Sequence, residues 1–105
     1  YQSATEIKGL VGALALGIGQ TPQDVTASRV RGTAYQNTTG RPIYVAVSID
    51  GGGTAAQLDL SADGITWVPF ANGTTAVVTM SAIVPAGWYY RAVGSDSLLK
   101  WSELR

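Results

Sequence analysis

The sequence predicts an all-β fold, an antiparallel β-sandwich of jelly-roll-like form, and three observations carry that expectation. Hydrophobic and polar side chains alternate with the period of two that marks half-buried strands, most clearly where Ile43, Val45, Val47 and Ile49 interleave with Tyr44, Ala46 and Ser48. Turn-forming residues punctuate these runs at Asn37–Gly40, Asp50–Gly53, Asp63-Gly64, Asn72-Gly73, Pro85–Gly87 and Gly94–Asp96. The strands so delimited recur every ~8–12 residues, the spacing of a sandwich or barrel rather than of βαβ units.

Taken in order, the expected strands are 24–28, 33–37, 42–49, 55–60, 65–70, 75–83, 88–93 and 98–103. The fourth rests on Leu58 and Leu60 alternating with Gln57 and Asp59. Asp-Gly and Asn-Gly, strong hairpin signals, bound the fifth. Both faces of the sixth are rather apolar, with Val78, Met80, Ala82 and Val84 on one side and Val77 and Ile83 on the other. It should therefore be covered on both sides. Trp88–Val93 and Leu98–Ser102 supply the last two. Residues 1–20 have a different texture, with Gly9, Gly12, Gly17 and Gly19 weakening any helix. They divide from the 21–105 sandwich as a short apolar linker.

Composition narrows the chemistry. Of 105 residues, 46% are hydrophobic and 13% charged, against about 25% charged in ordinary domains. Seven basic residues balance seven acidic ones. A surface this neutral suits burial against copies of the same chain, because a small soluble monomer usually carries net charge. Without His or Cys, catalytic triads, thiol nucleophiles, disulfides and zinc sites built on those residues are excluded. Neutrality also argues against nucleic acid, which is held by clustered Lys and Arg. The run Leu10–Ile18 falls short of the ~20 residues that span a bilayer, and Glu6 and Lys8 before it do not form a basic leader. No cofactor, metal or membrane insertion is expected.

Candidate sites follow from what remains. Two nearby carboxylates among Asp50, Asp59 and Asp63 could act as an acid–base pair on a glycosidic bond, or with loop carbonyls hold calcium. Asp before Gly equally favours a turn by bonding its own backbone. Gly51–Thr54 lacks the Lys of a phosphate loop. The sequons at Asn37 and Asn72 read as turn residues. Aromatic residues cluster by turn: Tyr35 and Tyr44 flank Asn37–Arg41, Trp67 follows Asp63-Gly64, and Trp88 and Tyr89 follow Gly87. Alternate turns of an antiparallel fold share one end, so these aromatics gather there. Flat rings beside polar groups suit sugars and protein hot spots. The candidate binding set is Trp88, Tyr89 and Tyr35, with Arg41 and Asp63 as polar contacts. This end is taken as the distal tip. If residues 24–28 form a full strand, the tip passes to Asp50–Gly53, Asn72-Gly73 and Gly94–Asp96.

Two runs resemble a known family. Asp24–Arg29 followed by Tyr35-Gln36-Asn37-Thr38-Thr39-Gly40-Arg41-Pro42-Ile43, and the ending Trp101-Ser102-Glu103-Leu104-Arg105, resemble the C-terminal domains of bacteriophage and prophage tail-fibre proteins. Ser81–Gly87 is similar to a hairpin of the same domains. The likeness spans residues 17–105. It departs at Pro22, where the family has an aromatic; a residue without a backbone donor implies a shorter or later first strand. Tyr1–Lys8 look like the end of a fibre shaft. The resemblance implies a homotrimeric knob at the virion's fibre tip, outside the cell, recognising a bacterial surface glycan or protein without enzymatic activity. A cap that only registers the trimer is the alternative, and a carboxylate-dependent glycan hydrolase the second.

Overall fold

The computed structural model describes residues 16–50, 55–74, 76–94 and 97–105. Its strands are β1 (Pro22–Asp24), β2 (Tyr35–Gln36), β3 (Ile43–Asp50), β4 (Ala56–Ser61), β5 (Val68–Gly73), β6 (Val77–Val84), β7 (Tyr89–Val93) and β8 (Leu98–Leu104). They form two four-stranded antiparallel sheets, ordered β1-β8-β3-β6 and β2-β7-β4-β5. The first strand thus lies beside the last, the second beside the seventh, the third beside the sixth and the fourth beside the fifth. That is a long antiparallel ribbon folded over into two layers, the wrapping of a jelly roll.

The core lies between the layers. Ile43, Val45, Val47 and Ile49 of β3 turn inward with Val78, Met80, Ala82 and Val84 of β6, against Ala56, Leu58 and Leu60 of β4 and Ala92 of β7. The period of two read from the sequence is the reason: each strand has one face to bury, and residues on that face recur every second position.

Four expectations are corrected. The first strand is Pro22–Asp24, not 24–28, and Thr26–Ser28 is a 3₁₀ turn. Asp24 captures the Thr26 amide and hydroxyl at 3.1 and 2.6 Å, which ends the extended backbone. The fifth strand begins at Val68 rather than 65, because the Asp63 carboxylate holds the amides of Ile65 and Thr66, each at 2.8 Å. Asn72-Gly73 closes that strand, paired with Gln57 and Ala56, instead of making the turn. The sixth strand is covered on one side only, with Val77 and Ile83 exposed. Expectations for residues 1–15 and for the glycine run 51–54 lie outside the described residues.

The largest correction concerns polarity. β1 runs antiparallel to β8, Pro22 opposite Leu104, and Thr21 and Arg105 exchange backbone hydrogen bonds at 3.3 and 3.2 Å. The chain therefore enters the sandwich beside its own C-terminal residue. This is also the end that carries the Asn37–Arg41, Asp63-Gly64 and Pro85–Gly87 connections. The aromatic end faces the incoming chain and is not distal to it.

One buried carboxylate ties the layers together. Glu103, 1% exposed, points inward from β8. Its Oε2 accepts from Arg29 Nε at 3.1 Å, Tyr90 Oη at 2.8 Å and Trp101 Nε1 at 3.0 Å. Its Oε1 accepts from Arg29 Nη2 at 3.1 Å and Arg105 Nη1 at 2.8 Å. Burial opposes its ionisation, yet the bonds from Arg29 and Tyr90 and the charges of Arg29 and Arg105 outweigh that, holding its pKa below the ordinary value. Burial and the Glu103 charge push the Tyr90 hydroxyl up to about 12.

Glu103→Gln should cost about 3 kcal/mol, since removing one member of a buried ion pair strands the other; urea unfolding measures it. The linkage has two signs. The lowered Glu103 pKa gives stability that is present above the ordinary glutamate range and lost as pH falls through the folded value. The raised Tyr90 pKa gives stability that is complete below about 10 and lost as pH rises toward about 12. The acid limb of this dependence should flatten in Glu103→Gln and the alkaline limb in Tyr90→Phe.

Candidate functional site

At the end where the chain enters, two connections are locked by one side chain. Asn37, fully buried, donates Nδ2 to the carbonyls of Arg41, Val84 and Pro85 at 2.8, 2.9 and 3.2 Å. Its Oδ1 accepts from the Thr39 amide and hydroxyl at 3.1 and 2.7 Å. Its backbone amide donates to the Trp88 carbonyl at 2.8 Å, and its carbonyl accepts from Gly87 N at 2.9 Å. The Asn-Thr-Thr-Gly-Arg-Pro run thus fixes the backbone on which Trp88 stands.

Beside Trp88 lies a hollow of about 330 Å³, lined by Leu60, Ser61, Ala62, Asp63, Thr66, Val68, Phe70 and Trp88. It opens at the edge of the sandwich formed by β5, remote from β1. Its walls are apolar and unusually bare: Val68 and Phe70 are 57% and 60% exposed, and Trp88 37%. Phe70 reaches it because the β4–β5 pairing slips between Leu58 and Asp59, leaving Phe70 without a register partner between Pro69 and Ala71.

Asp63 supplies the polar wall. Its Oδ1 accepts from Ser61 Oγ at 2.9 Å and from the Ile65 and Thr66 amides. Those backbone bonds, with the Ser61 hydroxyl, lower its pKa to about 2. The carboxylate stays charged at neutral pH and sets the loop. Apolar walls with a single fixed anionic group suit a ligand with one flat apolar face and donors at its edge, as a sugar or an aromatic side chain has.

The five residues anticipated from sequence separate here. Trp88 and Asp63 share the hollow. Tyr89 lies next to it, its ring 3.1 Å from where a Cβ on Gly64 would stand. Tyr35 turns inward, packed edge-on against Trp101 at 5.8 Å and tilted on Tyr90 at 6.1 Å. Arg29 lies over its ring at 4.7 Å, and its hydroxyl accepts from Val30 N at 2.8 Å. Its ring is half-buried, packed against the core rather than turned to the hollow. Arg41 points to the incoming chain and donates to the Ile18 carbonyl. Sequence reasoning missed Val68, Phe70 and Thr66, whose exposure depends on the edge position and on the slipped register.

The carboxylate pair Asp59 and Asp63 does not converge on the hollow. Asp59 is buried on the outer face of its sheet, held by Arg91 Nε and Gln57 Nε2, each at 2.9 Å. Arg91 in turn stacks on Trp67 at 4.2 Å. Among the described residues no three acidic side chains gather as a metal site would require. Comparison with family models, with curated proteins and with solved structures finds no match to this chain.

Gly64 is where the hollow's geometry is most easily broken. Its φ is +79°, and an added Cβ would press the Tyr89 ring. Gly40 has nearly the same φ, +80°, with nothing within 4 Å of such a Cβ. Gly40→Ala should cost only the left-handed strain, about 1 kcal/mol. Gly64→Ala should cost more than that by the displacement of Tyr89, and thermal melts of the two variants compare them directly.

Proposed function

We propose that this chain is the terminal module of a phage or phage-derived tail fibre, a homotrimer at the fibre tip that binds a bacterial surface polysaccharide or protein and catalyses no reaction. The observation that supports it is the bare apolar hollow at Trp88, set on a backbone that Asn37 holds rigid. A ring presented without loss of conformational freedom is what makes an aromatic contact productive.

The mechanism is avidity. One hollow of this size supports modest affinity, and three copies on one rigid module, repeated over several fibres, turn weak contacts into firm attachment. The hollow opens along the β5 edge, away from β1, so each copy in such an assembly would present its site sideways. Thr66 and Asp63 in its lining give polar contacts, while Val68, Phe70 and Trp88 exclude water.

Trp88→Ala decides the reading, because its ring is partly exposed and its main chain, not its side chain, carries the bonds to Asn37 and Pro85. Host-cell labelling should weaken by ~2 kcal/mol or more, about thirtyfold, with the melting temperature nearly unchanged. A fall in stability of ~3–5 kcal/mol, the cost of a core tryptophan, would instead make Trp88 structural and overturn the assignment. Competition by soluble host polysaccharide identifies a glycan receptor. Trimerisation with no retention on any host cell would leave the capping role.

A further inference from the structure

The hollow at Trp88 combines an apolar sleeve with one negative charge. Leu60, Val68, Phe70 and Trp88 form the sleeve, and Asp63 stands in the same lining. Among the described residues, none that lines it is basic. Arg91, on the outer face of the sheet, is taken up by Asp59 and Trp67. The other polar atoms of the lining are largely bonded to one another. Ser61 Oγ donates to Asp63 Oδ1 at 2.9 Å and accepts from Gly64 N at 2.8 Å. That same Oδ1 accepts from the Ile65 and Thr66 amides, each at 2.8 Å, which fills it and holds the carboxylate in place. Among the described residues, no other residue bonds Asp63 Oδ2 or the Thr66 hydroxyl.

We infer that the hollow receives a lysine side chain from a protein on the target cell surface. The inference rests on the binding role proposed above and names the chemical class that its site takes. A lysine has a flexible four-carbon stem and a compact cationic head. The stem lies on Val68 and Phe70 as it would on any apolar surface. The ammonium meets the free oxygen of Asp63 beside the Trp88 ring, where the charge and the ring face both attract it.

Other occupants match less well, each for a stated reason. Arginine prefers to fork onto both oxygens of a carboxylate, and Asp63 Oδ1 is already filled. A wholly apolar side chain would fill the sleeve and take the Asp63 charge out of water with nothing to balance it. A sugar carries several hydroxyls that both donate and accept. The hollow answers them with one free carboxylate oxygen and one threonine hydroxyl, and each hydroxyl left over loses its water bonds without replacement. Size agrees with the lysine. About 330 Å³ lies at the small end of ligand sites, with room for one side chain rather than a run of sugar units.

Nα-acetyl-lysine methylamide is the probe, followed by NMR through the amides of Thr66, Val68 and Phe70 and the Trp88 indole N–H. Shifts at these positions should saturate with a Kd of the order of 10 mM, as a single side chain allows. Acetylating the probe's Nε keeps the stem and removes the charge; binding should weaken ~tenfold through loss of the ion pair and the cation–π contact. Asp63→Asn retains an Oδ1 to hold the turn and should weaken the charged probe ~threefold, the worth of an exposed ion pair. Equal binding of the charged and acetylated probes overturns the inference, as does the absence of a saturable shift below about 100 mM. Glucosamine binding as tightly as the lysine probe also overturns it, by assigning the site to an amine-bearing glycan. If Asp63→Asn disorders the turn, the two probes on the unaltered chain decide. A chain that labels host cells through Trp88 yet ignores the lysine probe keeps the proposed role and loses this inference alone. Probe binding without labelling of any host cell overturns both the role and the stated source of the lysine.

Discussion

Glu103 imposes the constraint to which the rest of the sandwich answers. A carboxylate fully enclosed between two sheets is tolerable only if every lone pair is met and its charge is balanced. Five donors meet it, from Arg29, Tyr90, Trp101 and Arg105. Each comes from a different stretch of chain: the segment after β1, the seventh strand, the eighth strand and the C-terminal residue. Satisfying one group therefore fixes the position of the incoming chain, the spacing of the two layers and the path of the last strand. Apolar contacts alone tolerate sliding and rotation; a bidentate guanidinium and a phenol on the same carboxylate do not. The aromatic rings of Tyr35, Tyr90 and Trp101 complete the surround with mutual tilts of 40° to 83°.

The same logic explains the two sequence runs that carried the family resemblance. In Trp101-Ser102-Glu103-Leu104-Arg105 the first and third residues face inward and the second and fourth outward, while Arg105 turns back onto Glu103. In Asn37–Pro42 the asparagine is the buried member and ties one inter-strand connection to the carbonyls of another. Both runs are accounted for by the architecture, and neither requires a ligand. The surface on which binding is proposed is built from other residues, chiefly Val68, Phe70 and Trp88. What marks the fold and what would select a partner are thus separate parts of this chain, and the first says little about the second.

Much of the fold was legible because sandwiches enforce alternation. β3, β6 and β7 bury one face each, so their apolar positions recur every second residue and their ends fall within one or two residues of expectation. β1 was not legible: three residues offer too little periodicity, and Asp24 bonds Thr26 to end the strand. The Asp63 turn was visible, but not its reach, since nothing in the sequence says that one carboxylate holds both the Ile65 and Thr66 amides. Tyr35 was read as a surface aromatic from its neighbouring turn. Parity would have served better: it pairs with Tyr90, which shares a face with Ala92. Glu103 escaped because hydrophobic patterning assigns carboxylates to solvent, although its parity with Trp101 pointed inward.

The site is the least legible part, for a reason that reaches its chemistry. An exposed Phe70 looks like any other strand residue until the register is known. It becomes a wall of the hollow only because the pairing slips between Leu58 and Asp59 on an edge strand. Such slips bend a strand and redirect its side chains, and an edge strand has no outer neighbour to oppose the bend. Asp63 then closes the turn at the other side, and Asn37 anchors the backbone of Trp88. The hollow is therefore the product of three independent local devices converging at one end. Altering residues on its walls changes what it holds, whereas altering Asn37 or Glu103 changes whether the sandwich forms. That separation would let the walls of the hollow vary over a fixed frame, which is what the proposed binding role requires.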